Sequence, residues 1–223
     1  MSNYVHEFIT GETTNLPVGK AVCVGRNYAD HAKEMGSQVP DDPMLFIKPA
    51  TSLRALSEPV QLPGFSSDVH HELELTVLIE KTLCKSEAAD VHAAIAGCGL
   101  GIDLTARDLQ AQLKQKSHPW EKSKGFDGAG VLSPFIPIAE FEDLRDVDLE
   151  LHINGQVRQS GNTRDMVFPV TELIAHISQY FTLLPGDVVM TGTPAGVGPL
   201  HPGDQLALSL AGRFHFESRV GGA

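Results

Sequence analysis

The chain has little of what would tie it to an oxidising compartment, a membrane or a nucleic acid. It carries three cysteines in 223 residues. Cys23, Cys84 and Cys98 are odd in number and far apart, with no C-x-x-C pair, which argues against a disulfide framework and a thiolate zinc site. All three read as buried thiols, Cys98 as a small hydrophobe among Ala and Gly. No stretch approaches the roughly 20 apolar residues of a membrane span. Met1–Pro17 lacks the basic and apolar regions of a signal peptide, so a cytoplasmic location is expected. Basic residues are scarce, with Lys+Arg at 17 against Asp+Glu at 28, and the net charge of −11 repels phosphate backbones and anionic lipid surfaces. Neither nucleic acid nor a membrane is an expected partner. Internal repeats and low-complexity tracts are missing as well.

What is present suffices for one globular domain: 42% of the residues are hydrophobic and 20% charged. The 14 prolines and 21 glycines are spread along the chain and imply many short elements. Residues 20–28 (KAVCVGRNY) read as a strand entering a turn, 28–36 as a helix, 42–56 as strand and loop. Residues 72–81 (ELELTVLIEK) alternate and then turn continuously apolar, as a strand leaving a polar pocket for a core does. Residues 88–115 begin helical, pass through a glycine-rich turn at 97–101 into a short strand, and resume as a helix capped by Thr105 or a neighbour. Asn154-Gly155 marks a hairpin within 149–161. A helix and a strand follow over 166–198, and a closing hairpin over 203–220. The class is α+β with much antiparallel sheet.

Glu72 and Glu74 share one side of a strand, with Cβ atoms roughly 7 Å apart. Two buried carboxylates on one face repel unless a cation lies between them; taken alone, the pair also fits a solvated strand face. Asp103, in GLGIDLTARD, adds a third acid within an apolar flank where an unpaired charge is expensive. Three carboxylates and waters make an all-oxygen shell suited to Mg²⁺, Mn²⁺ or Ca²⁺. His71 faces away from the pair or supports it from behind. The runs GCGLG and GTPAGVG match neither a dinucleotide fingerprint nor a P-loop, and close backbone approach is their expected use. His31 and Glu34 lie three apart on a helix, where a carboxylate orients an imidazole as a general base, or where the two form an ordinary surface pair.

The segments GRNYADHAKEMG, FIKP, HHELELTVLIEK, GLGIDLTARDLQ, KGFDGAGVLSPFIP, GDVVMTGTPAGVG and GDQL together resemble, in order and spacing, the fumarylacetoacetate hydrolase family. The likeness covers about residues 17–220 and is nearest the short branch acting on acylpyruvates and oxaloacetate. It implies a mixed, largely antiparallel β-sandwich or β-roll with flanking helices, residues 1–16 being an N-terminal extension and 17–223 a single catalytic domain. It further implies a homodimer, and Mg²⁺ or Mn²⁺ held by Glu72, Glu74 and Asp103. His31 and Glu34 match a dyad on a segment that folds over the site, expected here as residues 26–40. Lys124 matches a lysine that reaches the oxo acid. Arg26, Lys48, Gln110 and Thr193 fall in motifs lining the substrate pocket, and Arg107 fits either that role or an ion pair. The leading expectation is metal-dependent hydrolysis of the C–C bond of short acylpyruvates such as acetylpyruvate or fumarylpyruvate. Oxaloacetate decarboxylation or keto–enol tautomerisation is the alternative, and a hydratase or isomerase of aromatic degradation a third. A non-catalytic metal-binding protein has no need of His31, Glu34 and Lys124.

Overall fold

The structure, a computed structural model, describes residues 4–34, 36 and 40–222. The strands are β1 (Ala21–Gly25), β2 (Met44–Lys48), β3 (Leu53–Ala55), β4 (Val69–His71), β5 (Leu73–Ile79), β6 (Ile95–Asp103), β7 (Thr105–Ala106), β8 (Gly130–Leu132), β9 (Ile136–Pro137), β10 (Asp148–Ile153), β11 (Gln156–Asn162), β12 (Val188–Met190), β13 (Gly198–Pro199), β14 (Gln205–Leu210) and β15 (Phe214–Arg219). The α-helices are α1 (Ala29–Glu34), α2 (Ala88–Val91), α3 (Arg107–Gln115), α4 (Glu121–Lys124) and α5 (Val170–Tyr180). One sheet runs in the order β2-β1-β12-β5-β6-β8-β3, with β9 pairing β6; a second runs β11-β10-β14-β15 and a third β13-β4-β7. Pairing is antiparallel except for β1 with β12 and β3 with β8. This is the α+β class with mixed, mainly antiparallel sheets.

The centre of the main sheet is β5 against β6, in a register that sets Thr76 opposite Gly99 and Glu74 opposite Gly101. Both faces of β5 are buried, so its alternation does not mark a solvated side. Leu73, Leu75, Val77 and Ile79 enter the larger apolar cluster, shared with Leu149, Leu151, Leu206 and Leu208 of the second sheet. Leu78 points the other way, into a smaller cluster with Ala21, Cys23, Val188, Met190, Leu132 and Phe135. Glu74 lies on this second side.

The run GCGLG is part of β6 and not a turn. Its glycines recur at every second position, on the face carrying Asp103. A Cβ on Gly97 would lie 2.4 Å from Ile136 O, and one on Gly101 2.6 Å from Thr76 Cγ2. Close approach of neighbouring strands is therefore their use, as expected, while the glycine content disguises the strand. Two other expectations are corrected. Of Thr105 and its neighbours, Ala106 holds the N-cap position of α3, and no side chain caps the helix: the Thr105 hydroxyl bonds Asp103 O instead. Cys84 is exposed, while Cys23 and Cys98 are buried; burial pushes the Cys98 thiol up to about 12, so it is unreactive at neutral pH.

The hairpin β10–β11 turns on Asn154 (φ 53°) and Gly155 (φ 77°), both left-handed as a tight two-residue hairpin requires. The N-terminal residues pack against the domain: Phe135 N donates to Glu7 O and Ile9 N to Phe135 O. No helix among the described residues is long and apolar enough to cross a membrane.

Candidate active site and metal centre

The strand break at Glu72, between β4 and β5, brings three carboxylates to one place. Asp103 N donates to Glu72 O (2.8 Å), which aligns the end of β6 with the break, and Glu74 follows two residues on along the same face. Ligand oxygens of Glu72, Glu74 and Asp103 lie within 4.8 Å of one another. All three are buried, Glu74 at 1% exposure and Asp103 at 0%. Solvated decoration is ruled out for this pair.

Cations meet two of the acids directly. Lys124 Nζ donates to Glu72 Oε2 (2.6 Å) and Asp103 Oδ2 (2.7 Å). Arg107 holds Glu72 Oε1 at 2.5 Å and Gln110 Oε1 at 2.9 Å, so it is both an ion pair and a cavity residue. Burial alone would raise the Glu72 pKa, but Lys124 and Arg107 outweigh it and hold the group at about 2. Burial likewise opposes the charge on Lys124, and Asp103 and Glu72 reverse this, pushing its pKa up. Glu74 is left differently. Its Oε2 accepts from Gly192 N (2.8 Å), yet burial, then repulsion from Asp103 and Glu72, push its carboxyl well above the usual range.

These residues fit a hard divalent cation. The donors are all oxygen. Asp103 Oδ1 is buried and accepts no hydrogen bond, although Lys48 Nζ lies 2.8 Å away as an ion pair. The like-charge repulsion on Glu74 is what a cation among the three would relieve.

A cavity of about 260 Å³ opens on this cluster, lined among others by Arg26, His31, Glu72, Glu74, Arg107, Gln110, Lys114, Trp120, Lys124 and Thr193. Gln110 and Thr193 line this cavity. Arg26 does too, at the end of β1, with a left-handed backbone (φ 63°) that a non-glycine residue adopts at a cost. Lys48 does not line the cavity: it is fully buried behind Asp103 and donates to Ala129 O (3.1 Å) and to Lys124 O. Its role is to place positive charge under the carboxylates. His71 faces away, its Nδ1 2.8 Å from Gln159 Oε1.

His31 of α1 is buried at 6% exposure, with Nδ1 3.3 Å from Glu34 Oε2. Glu34 is itself fixed by Gly196 N, 3.1 Å from Oε1 and 3.2 Å from Oε2. A carboxylate accepts from Nδ1–H, which leaves the Nε2 lone pair of the neutral ring free to take a proton. Burial lowers the His31 pKa, with Glu72 and Glu34 partly opposing it, so the ring is neutral at pH 7. Within the expected folding segment 26–40, Met35 and residues 37–39 lie outside the described residues.

Sequence reasoning passed over Lys114 and Trp120. Lys114 Nζ stands 5.3 Å from the Trp120 ring centre, and both residues line the cavity. The signal was available: Arg107, Gln110 and Lys114 recur at three and four positions along α3, one helical face.

With β-strands carrying a three-carboxylate centre and a histidine dyad above it, the architecture is that of a fumarylacetoacetate hydrolase fold. The chain belongs to that family: residues 20–221 match the family model described as fumarylacetoacetate (FAA) hydrolase, C-terminal. It is 50% identical to the oxaloacetate tautomerase YcgM of Escherichia coli (strain K12), over 94% of this chain and 96% of that protein. It is 44% identical to a mitochondrial oxaloacetate decarboxylase of Dictyostelium discoideum, over 86% and 89% respectively. Among solved structures, a fumarylpyruvate hydrolase from Pseudomonas aeruginosa in complex with Mn²⁺ and pyruvate superposes with a TM-score of 0.92 at 30% identity, covering 99% of this chain and 96% of that one. The relatives named for oxaloacetate are thus nearer in sequence than the hydrolase, which favours the alternative over the leading expectation.

Proposed function

We propose that the chain catalyses metal-dependent enolisation of oxaloacetate, interconverting its keto and enol forms. The observation that carries this reading is the charge of the cavity. A protein of net charge −11 gathers Arg26, Arg107, Lys114 and Lys124 around one cavity of about 260 Å³. Lys124 and Arg107 are matched by Glu72 and Asp103. Arg26 and Lys114, among the described residues, form no carboxylate ion pair and leave positive charge in the cavity lining for an anionic ligand. An oxo acid with a second carboxylate matches that charge better than acetylpyruvate, whose acyl tail is uncharged. The names of the nearer relatives point the same way.

Bound by Glu72, Glu74 and Asp103, Mg²⁺ or Mn²⁺ would supply Lewis-acid polarisation of the 2-oxo group. His31 takes a proton from C3 through Nε2 while Glu34 holds Nδ1–H; a C–H bond breaks, a C=C bond forms, and a proton is returned to the 2-oxygen. Lys124 offsets negative charge developing on the substrate oxygens. Arg26 and Lys114 pair with the distal carboxylate. Such pairing stabilises the carboxylate more than the departing, uncharged CO₂, so it opposes decarboxylation and leaves proton transfer as the favoured outcome.

The test follows enol absorbance and pyruvate formation on oxaloacetate with Mg²⁺. Tautomerisation should exceed decarboxylation in the wild type, and Lys114→Met should raise the Michaelis constant and shift the ratio toward decarboxylation. A wild type that leaves oxaloacetate unchanged but cleaves fumarylpyruvate would establish the second reading, hydrolysis of a C–C bond by a water activated at His31. That reading draws on the fumarylpyruvate hydrolase whose structure superposes on this one.

A further inference from the structure

Gln159 lies on β11, outside the cavity lining, with 1% exposure. Its side-chain amide makes every hydrogen bond it can. Oε1 accepts from Leu73 N (2.9 Å) and pairs with His71 Nδ1 (2.8 Å), while Nε2 donates to Thr193 Oγ1 (2.7 Å) and Pro194 O (2.9 Å). Two acceptor and two donor capacities are all used. The orientation is not a free choice: rotating the amide would set its NH₂ against Leu73 N–H, a backbone donor that cannot reverse.

The direction of one proton follows. Because Gln159 Nε2 donates to Thr193 Oγ1, the threonine hydroxyl is an acceptor on that side. Its own proton cannot point at Gln159. The one acceptor the hydroxyl meets among the described residues, Pro194 O, is 3.5 Å away, too long for a good O–H···O bond, and already receives the second Gln159 N–H. Thr193 lines the cavity, and the geometry points to that side for its hydroxyl proton.

We propose that Gln159 is a positioning residue that turns the Thr193 hydroxyl proton into the cavity, making Thr193 an obligate donor to a bound oxo acid. The inference rests on the reading of that cavity as an oxo-acid site. Gln159 occupies a junction suited to the task. Leu73 and His71 flank Glu72, and the segment bearing Thr193 also supplies Gly192 N to Glu74 and Gly196 N to Glu34. One amide thus ties the start of β5 to the segment 192–196.

A residue that merely satisfies buried polar groups would behave otherwise under substitution. Gln159→Glu keeps both acceptor bonds and replaces the donors with an acceptor, toward which the Thr193 proton would turn. Oxalate, a small dianionic chelator, serves as the probe: its binding with Mg²⁺ is measured by calorimetry for wild type, Gln159→Glu, Thr193→Val and the double variant. Each single change should weaken binding roughly tenfold to a hundredfold, the range for a hydrogen bond to a charged group. The double variant should be no weaker than the worse single one. Additive losses, including those from simple repulsion by the new charge, would overturn the proposal, as would wild-type affinity in Gln159→Glu. Should that variant not fold, Gln159→Met removes the constraint and frees the hydroxyl to rotate. It should weaken binding by a smaller factor, and not at all in the Thr193→Val background; a loss persisting there overturns the proposal. Wild type that binds oxalate yet leaves oxaloacetate unchanged overturns the functional reading alone, and wild type that binds no oxalate overturns both.

Discussion

Glu74 and Asp103 are carried by the β5–β6 pair at the centre of an eight-stranded sheet, buried and spaced by strand register, and Glu72 by the break just ahead of β5. His31 and Glu34 are carried by a six-residue helix, too short to be stable by itself, and Glu34 is 35% exposed. The first region is expensive to build: it confines like charges, and Lys48, Lys124 and Arg107 are recruited to hold them. The second is inexpensive and depends on a few contacts, among them Gly196 N to Glu34 and Asn27 to Phe168 O and Thr191 O. A cation site tolerates little displacement of its ligands, whereas a base that visits the substrate benefits from a support that can adjust. The two regions should therefore respond differently to substitution.

The largest effect falls on the strand side. Glu74→Gln should abolish cation binding and lower oxaloacetate turnover by about 10³ or more, the several kcal/mol that Lewis-acid stabilisation supplies. Stability should move the opposite way. The Glu74 pKa is raised in the folded state, so the charged group costs stability once pH rises above its unfolded value of about 4.5. Metal-free Glu74→Gln should thus melt above metal-free wild type at pH 7, with the gap closing as pH falls toward 4.5, as calorimetry can follow. A variant destabilised at pH 7 would remove the like-charge account.

Next comes the helix side. His31→Ala should cost about 10²–10⁴ in turnover, the usual worth of a positioned general base, with cation affinity retained. Glu34→Gln should cost roughly tenfold, about one charge-assisted hydrogen bond, again without loss of the cation. The smallest effect is on the pH profile. Burial lowers the His31 pKa, so the acid limb of kcat/KM should lie below 6.5, the ordinary value, and activity should be lost only as pH falls through that lowered pKa. A limb above 6.5 would mean that Glu34 and Glu72 dominate the histidine.

The strand side was also the more legible in sequence. E-x-E alternation places two carboxylates on one face whatever the rest of the fold, and Asn154-Gly155 fixes a hairpin by backbone chirality alone. What misled was glycine. Local preference reads GCGLG as a turn, while the packing of β6 against Thr76, Ile136 and Ser133 leaves no room for side chains in a strand. The break at Glu72, the burial of Lys48 and the exposure of Cys84 depend on which strands become neighbours, and no local pattern carries that. Gln159 was invisible for the same reason: its partners lie far off in the chain, on β4, β5 and the Thr193 segment.

The division between a fixed cation shell and a separately carried base is tested most directly by titrating Mn²⁺ into His31→Ala while recording its oxaloacetate tautomerisation. The account predicts binding of one ion per chain with wild-type affinity and a rate at least about a hundredfold lower. Loss of Mn²⁺ binding together with the rate, or a rate unchanged in the absence of the imidazole, would contradict it.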